Sequence, residues 1–268
     1  MGSTFSFDAN NPLKDMQDVL DMLAEHPATA EFLAEKLCKR FIGDNPPQTI
    51  IDLVKNSLHQ NWQAPDQIKL AMEILLKSNE FGNTWAEKIK RPFERAASAM
   101  RQAGFTYNFD PTDSTSSMLF WAFSNSGQNL FFWTAPNGYP DTKSAWSGAS
   151  STMATWRFVQ LVTRLRDSND LPFNSIVNQT LAQFPNANDR TANNMVNYWF
   201  ERACGFPASG LVQDKLAEFM SYDDTSNPQA GNRDIAIDIT SNEWPGYNEE
   251  RLYAMVTMVF LTAEFNDR

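Results

Sequence analysis

Helical periodicity dominates this chain and is broken in the middle by a segment that keeps its aromatics. Apolar residues recur at three- and four-residue spacing from Leu13 onward and again from about Ser150 to Phe265. That spacing marks helices that bury one face each. Between Trp121 and Trp146 the period stops while the aromatics continue: WAFSNSGQNLFFWTAPNGYPDTKSAW holds three of the eight tryptophans, with Phe123, Phe131, Phe132 and Tyr139. Two Gly, two Pro and many Asn and Ser lie between the rings. A helical chain that places so many rings on an irregular segment either plugs its core with them or offers them to a ligand.

The periodic segments predict about ten helices. The first runs from Leu13 to Glu25, with Met16, Val19, Leu20 and Leu23 on its apolar face. Pro27 opens the second, to about Ile42, with Phe32, Leu33, Leu37 and Phe41 inward; Pro is favoured at a first helical position, where its missing N–H has no partner to lose. Further helices are expected over 48–60, 65–81 and 84–103, the last kinked or restarted at Pro92. Ser114 or Ser116 caps a helix through Phe123, and Ser150 or Ser151 caps one to about Asp167, with Met153, Trp156, Val159 or Gln160, and Thr163 on one stripe. Helices over 174–184, 189–204, 208–222 and 248–265 complete the set. Ile235 to Ile239 alternates and reads as a brief strand. The fold class is all-α: an irregular bundle of about ten helices with a long aromatic-rich central loop and at most a tiny β-hairpin. Residues 1–12 read as a disordered start, with Met1-Gly2-Ser3 resembling a vector remnant, and 13–268 as a single domain with sub-halves 13–110 and 111–268. One echo links two helix ends: LLKSNEF (Leu75 to Phe81) and VFLTAEF (Val259 to Phe265), each ending in Glu-Phe two residues after Ser78 or Thr262. In both the Phe reads as a core plug.

Net charge is −10, from 22 basic and 32 acidic residues. That balance argues against a nucleic-acid partner, because phosphate neutralisation supplies most of such affinity. No apolar run approaches the roughly 18 residues of a spanning helix, so membrane insertion is not expected. Cys38 and Cys204 each sit beside apolar residues and read as buried thiols, a disulfide between them being the alternative. Two histidines and two cysteines offer no zinc-type spacing. No phosphate loop, serine elbow or His-Glu-x-x-His occurs, and neither metal nor cofactor is expected. Asp223, Asp224, Asn227, Asn232, Asp234 and Asp238 form an oxygen-rich stretch that suits calcium in residue type but not in spacing; turn chemistry is the plainer reading.

Within the loop, Trp133, Tyr139 and Trp146 are the candidate stacking faces, with Asn137 and Asp141 as polar partners for a glycan or polypeptide. Arg91, in the locally basic KIKRPFER segment with Arg95 and Arg101 nearby, and Arg157, beside Trp156, are candidate anion clamps. Against each stands a structural reading: rings buried between helices, and arginines paired to acids of their own chain. His26, at a helix junction, is a candidate general base or a cap; Glu94 and Asp141 are candidate carboxylates for acid–base work.

Several stretches resemble the large bacterial family known as domain of unknown function 1800. They are HPATAEFLAEKLCKRFIGDNPP (26–47), ILLKSNEF (74–81), KIKRPFERAASAMRQAG (88–104), GQNLFFWTAPNGYPDTKSAW (127–146) and ATWRFVQLV (154–162), in the family's order, with an ending similar to VFLTAEFNDR. The resemblance implies a C-terminal portion of a longer, exported or envelope protein, hence a periplasmic or extracellular setting. It supplies no activity and no catalytic residues. This loop departs from the commoner spelling: Asn137 stands where Asp often precedes Gly-Tyr-Pro, and Phe132-Trp133 precede Thr134. The expectation is a binding or assembly module holding a glycan or polypeptide at the loop. The alternatives are a hydrolase acting on an envelope polymer and a support for a missing N-terminal half.

Overall fold

The computed structural model describes residues 10–222, 231–243 and 247–267. Among them are fourteen α-helices and three isolated β-bridges, but no strand, so the fold is all-α. The expected brief strand at 235–239 reduces to one bridge, Thr191 to Ala236. The chain divides into two compact units, Met1–Lys88 and Ile89–Arg268. The division thus falls at 88/89, where the sequence reading had offered 110/111.

The first unit holds α1 (Pro12–Glu25), α2 (Pro27–Phe41), α3 (Gln48–Gln60), α4 (Gln67–Leu76) and the single turn α5 (Asn79–Gly82). Successive helices pack on one another. The buried stripe of α2 is Ala30, Ala34 and Cys38, four residues apart, not the large residues expected inward. Phe32, Leu33 and Phe41 are exposed, as are Met16, Leu20 and Leu23 of α1. The physical reason is approach distance. Small residues let α2 lie close to α3, whose Ile50, Ile51, Val54 and Leu58 fill the interface. Leu37 packs against this core as expected, while Phe32, Leu33 and Phe41 are left on the other faces. Lys88 closes the unit: its buried ammonium donates to the Lys39 carbonyl (2.8 Å) and to Asp44 (3.0 Å).

The second unit holds α6 (Pro92–Ala103), α7 (Ser114–Ser124), α8 (Lys143–Trp146), α9 (Ala149–Arg164), α10 (Ile176–Gln183), α11 (Ala192–Cys204), α12 (Gly210–Met220), α13 (Asn248–Leu261) and α14 (Ala263–Asn266). α13 is the hub, packed on α9, α10, α11, α12 and α14. It is buried on most sides, Tyr253, Val256 and Phe260 among its residues. Several polar groups that enter this core are paired. Trp199 donates to Thr180 Oγ1 at 2.9 Å, and the hydroxyls of Thr163 and Thr257 meet at 2.6 Å.

Helix ends follow local chemistry. The helix expected over 84–103 is shorter: residues 84–91 are not helical, and Pro92 takes the first position of α6. α6 stops at Gly104, whose φ of 63° is left-handed and where an added Cβ would lie 2.0 Å from Ser175 Oγ. Glycine is needed there twice over, for conformation and for space. Asp113 rather than a serine caps α7. Gly148 precedes α9, and Ser151 instead donates to the Ser126 carbonyl at 2.7 Å. The α9 stripe is Thr155, Phe158, Val159, Val162 and Thr163, while Met153 and Trp156 face solvent.

The echo between the two helix ends is a shared local device. Ser78 and Thr262 each donate their hydroxyl to the carbonyl three residues back, both at 2.8 Å. Each hydroxyl then accepts the N–H of the Phe three residues on, at 3.1 and 3.3 Å. One helix ends and a single turn begins at the same side chain. Phe265 is the core plug expected, with none of its surface exposed; Phe81 is not, at 36% exposed.

Candidate functional site

The central loop is anchored at both ends within the second unit. At its entry, Gln128 is buried and accepts the Phe93 N–H at 2.9 Å, satisfying a first-turn donor of α6. Ser126, also buried, receives the Ser151 hydroxyl. At its exit, Trp146 ends α8 and is buried. Its indole N–H donates to the Pro140 carbonyl at 2.7 Å.

Three of the predicted residues form a ladder of rings. Tyr139 lies 5.8 Å from Trp146 and 4.7 Å from Trp133, centroid to centroid. Both distances lie in the range of favourable aromatic pairing. Burial falls along the ladder: Trp146 is buried, Tyr139 half-buried, and Trp133 exposed. Each ring's polar atom is turned inward. Tyr139 donates to the Asn129 carbonyl at 2.5 Å, and Trp133 Nε1 donates to Asn137 Oδ1 at 3.0 Å. Asn137 thus orients Trp133, and Asp141 is half-buried beside Pro140. Trp146 is a strut rather than a contact face.

What the ladder holds up is the turn Asn129–Phe132, closed by the Phe132 N–H on the Asn129 carbonyl at 3.2 Å. Phe131, at its third position, has φ of 67°. That position ordinarily takes Gly or Asn, because a Cβ clashes in left-handed backbone. Phe131 is nonetheless fully exposed, Phe132 is 69% exposed and Trp133 is 40% exposed. Three consecutive rings therefore stand in solvent on a braced turn. Phe131 and Phe132 were absent from the sequence-based selection of contact residues. The ring density was visible, but a strained φ has no signature in composition.

The two arginines stand apart from the ladder, and no hydrogen bond or ring contact joins either to it among the described residues. Arg91 is the N-cap residue of α6. Its N–H donates to Glu94 Oε2 at 2.9 Å, and its guanidinium meets Glu94 Oε1 at 3.2 Å. The Glu94 carboxylate thus accepts the backbone N–H of Arg91 and pairs with its guanidinium. Arg157 is exposed on α9 and lines a cleft of about 590 Å³ with Gln160, Arg164 and Arg166. Arg166 is held there by Glu249 and Glu250, both at 3.1 Å. Arg157 itself makes no ion pair among the described residues.

The other titratable candidates are engaged structurally. His26 caps α2, its Nδ1 accepting the Ala28 N–H at 3.1 Å. Glu94 is spent on Arg91. Cys38 and Cys204 are free thiols, Cys38 buried and Cys204 half-buried, so the disulfide alternative is not realised. Burial pushes both thiols up to about 11. In the oxygen-rich stretch, Asp223, Asp224 and Asn227 lie outside the described residues. Asn232 accepts the Asp234 N–H and Asp238 accepts from Thr240, the bonds that turns make, while Asp234 accepts from Asn193 of α11. Among the described residues no His, Cys, Asp and Glu group could hold a metal ion, and no helix is long and apolar enough to cross a membrane.

No match was found among curated proteins or among solved structures. Residues 1–266 match the model of the family described as Protein of unknown function (DUF1800), and the chain belongs to that family.

Proposed function

We propose that the protein is a binding or assembly module that grips a polypeptide partner with the Phe131–Trp133 turn. The exported, bacterial setting implied by the family resemblance belongs to the same reading. One observation carries it: Phe131 occupies left-handed backbone while fully exposed. Such a conformation costs a bulky residue roughly 1–3 kcal/mol, and strain of this kind clusters at ligand-gripping sites. No packing among the described residues compensates it, which supports a use for the ring outside the chain.

A polypeptide fits better than a glycan. Sugar recognition needs polar groups directed outward among the stacking faces. Here the Trp133, Tyr139 and Asn137 polar groups are bonded to one another or to backbone. What the turn presents is apolar and aromatic, the residue chemistry enriched at the centres of protein interfaces.

The test is a selection of binding peptides from a random library on the intact chain, followed by affinity measurement with Phe132→Ala and Trp133→Ala. Both are exposed, so melting temperatures should stay within about 2 °C of the parent. At least tenfold weaker binding is expected for each. Equal affinity of the folded variants for every selected peptide would remove the loop from consideration. Trp146 is left intact, because deleting a buried Trp costs about 3–5 kcal/mol and would confuse binding with folding.

A further inference from the structure

A second cavity lies in the second unit. α6 and α7 flank a cleft of about 570 Å³. Six phenylalanines line it: Phe93, Phe105, Phe109, Phe120, Phe123 and Phe158. Its walls are fixed by edge-to-face packing, with Phe93 to Phe123 at 6.1 Å and Phe123 to Phe158 at 6.0 Å. Space exists because α6 presents Ala96 and Ala97 to the cleft where larger residues would fill it. Leu130, next to the strained Phe131, contributes from the loop. One charged residue lines the cleft, Arg101 in the last turn of α6. Its side chain is exposed and makes no ion pair among the described residues, although the chain carries an excess of acids.

We propose that this cleft binds a single-chain amphiphile with a carboxylate head, a free medium-chain fatty acid in chemical class. Small-molecule sites are concave, mostly apolar, about 300–1,000 Å³ in volume, and carry a few polar groups that fix orientation. The phenylalanine walls take the acyl chain, whose burial supplies most of the affinity. Arg101 takes the head: a guanidinium presents paired donors that match a carboxylate. An excess of acidic residues elsewhere disfavours an anion at most places on this surface, and Arg101 is the single charge in the lining of this cleft. The cleft shares Leu130 with the braced turn, but neither Phe132 nor Trp133 lines it, so the two readings are tested separately.

The test is isothermal titration of the intact protein with dodecanoate, dodecanol and dodecyltrimethylammonium, all at micromolar concentration below micelle formation. Dodecanoate should bind one to one and at least tenfold more tightly than the other two. Arg101→Gln should weaken dodecanoate at least tenfold and leave dodecanol unchanged, while Arg101→Lys retains most of the dodecanoate affinity. Ala97→Phe should abolish binding of all three with an unaltered circular dichroism spectrum. Phe132→Ala should bind dodecanoate like the parent. Three results would overturn the proposal: no dodecanoate binding, equal affinity for the three head groups, or dodecanoate binding that survives both Arg101→Gln and Ala97→Phe in folded protein. Association with phosphatidylglycerol vesicles without binding of free dodecanoate would also overturn it, by moving the surface to a membrane.

Discussion

At the scale of single residues, Phe131 separates stability from use. Glycine at this position removes the steric cost of left-handed backbone. Phe131→Gly should therefore raise the melting temperature, by an amount corresponding to about 1 kcal/mol, while lowering affinity for any peptide that the turn binds. Parallel melts and titrations would show both; a loss of stability would mean that the ring makes a contact that its full exposure denies. The two thiols give a second prediction at this scale. With burial pushing Cys38 and Cys204 up to about 11, only about one part in a thousand of each is thiolate at pH 8. The thiolate is the reactive form, so iodoacetamide at pH 8 should label native protein slowly and denatured protein quickly at both positions, read by mass spectrometry. Neither result was legible from composition. A cysteine beside apolar residues was read as buried, which holds fully for Cys38 and half for Cys204. The strain at Phe131 depends on a turn geometry that residue identity opposes.

At the scale of elements, helix existence was legible and helix orientation often was not. Pro27 and Pro92 open helices as their missing N–H groups require, and Gly104 ends one. The inward faces of α1 and α2 were misread because the largest apolar residues were taken to mark the core. Burial is decided by which neighbour comes close. The α2 stripe of Ala30, Ala34 and Cys38 permits an approach that Phe32 and Phe41 would block. The shared break after α4 and before α14 is the converse case, a pattern in sequence that proved to be one hydrogen-bonded device. Thr262→Ala should cost about 1–2 kcal/mol, because it removes the cap that seats the buried Phe265. Ser78→Ala should cost less than half as much, since the Phe81 it positions is partly exposed. Urea titrations of the two variants make the comparison; equal losses would show that the cap, and not the seated ring, sets the cost.

At the scale of the whole molecule, each unit carries its own core: Ile50, Val54, Leu58 and Leu75 among others in the first, and Trp199, Tyr253 and Phe260 among others in the second. A chain of residues 89–268 alone should therefore melt cooperatively and keep the near-ultraviolet signal of its buried Trp199. A broad, non-cooperative melt would show that its core is incomplete without residues 1–88. By itself the sequence determined the all-α class, the place of most of the longer helices and the family. These follow from local periodicity and from residues whose effect acts within a few positions of the chain. Only the tertiary structure decided that Trp146 is a strut and Trp133 a face, and that six phenylalanines from separate segments meet around one arginine. Such facts depend on distances between residues far apart in the chain, and those distances are set by helix packing, which no local pattern encodes.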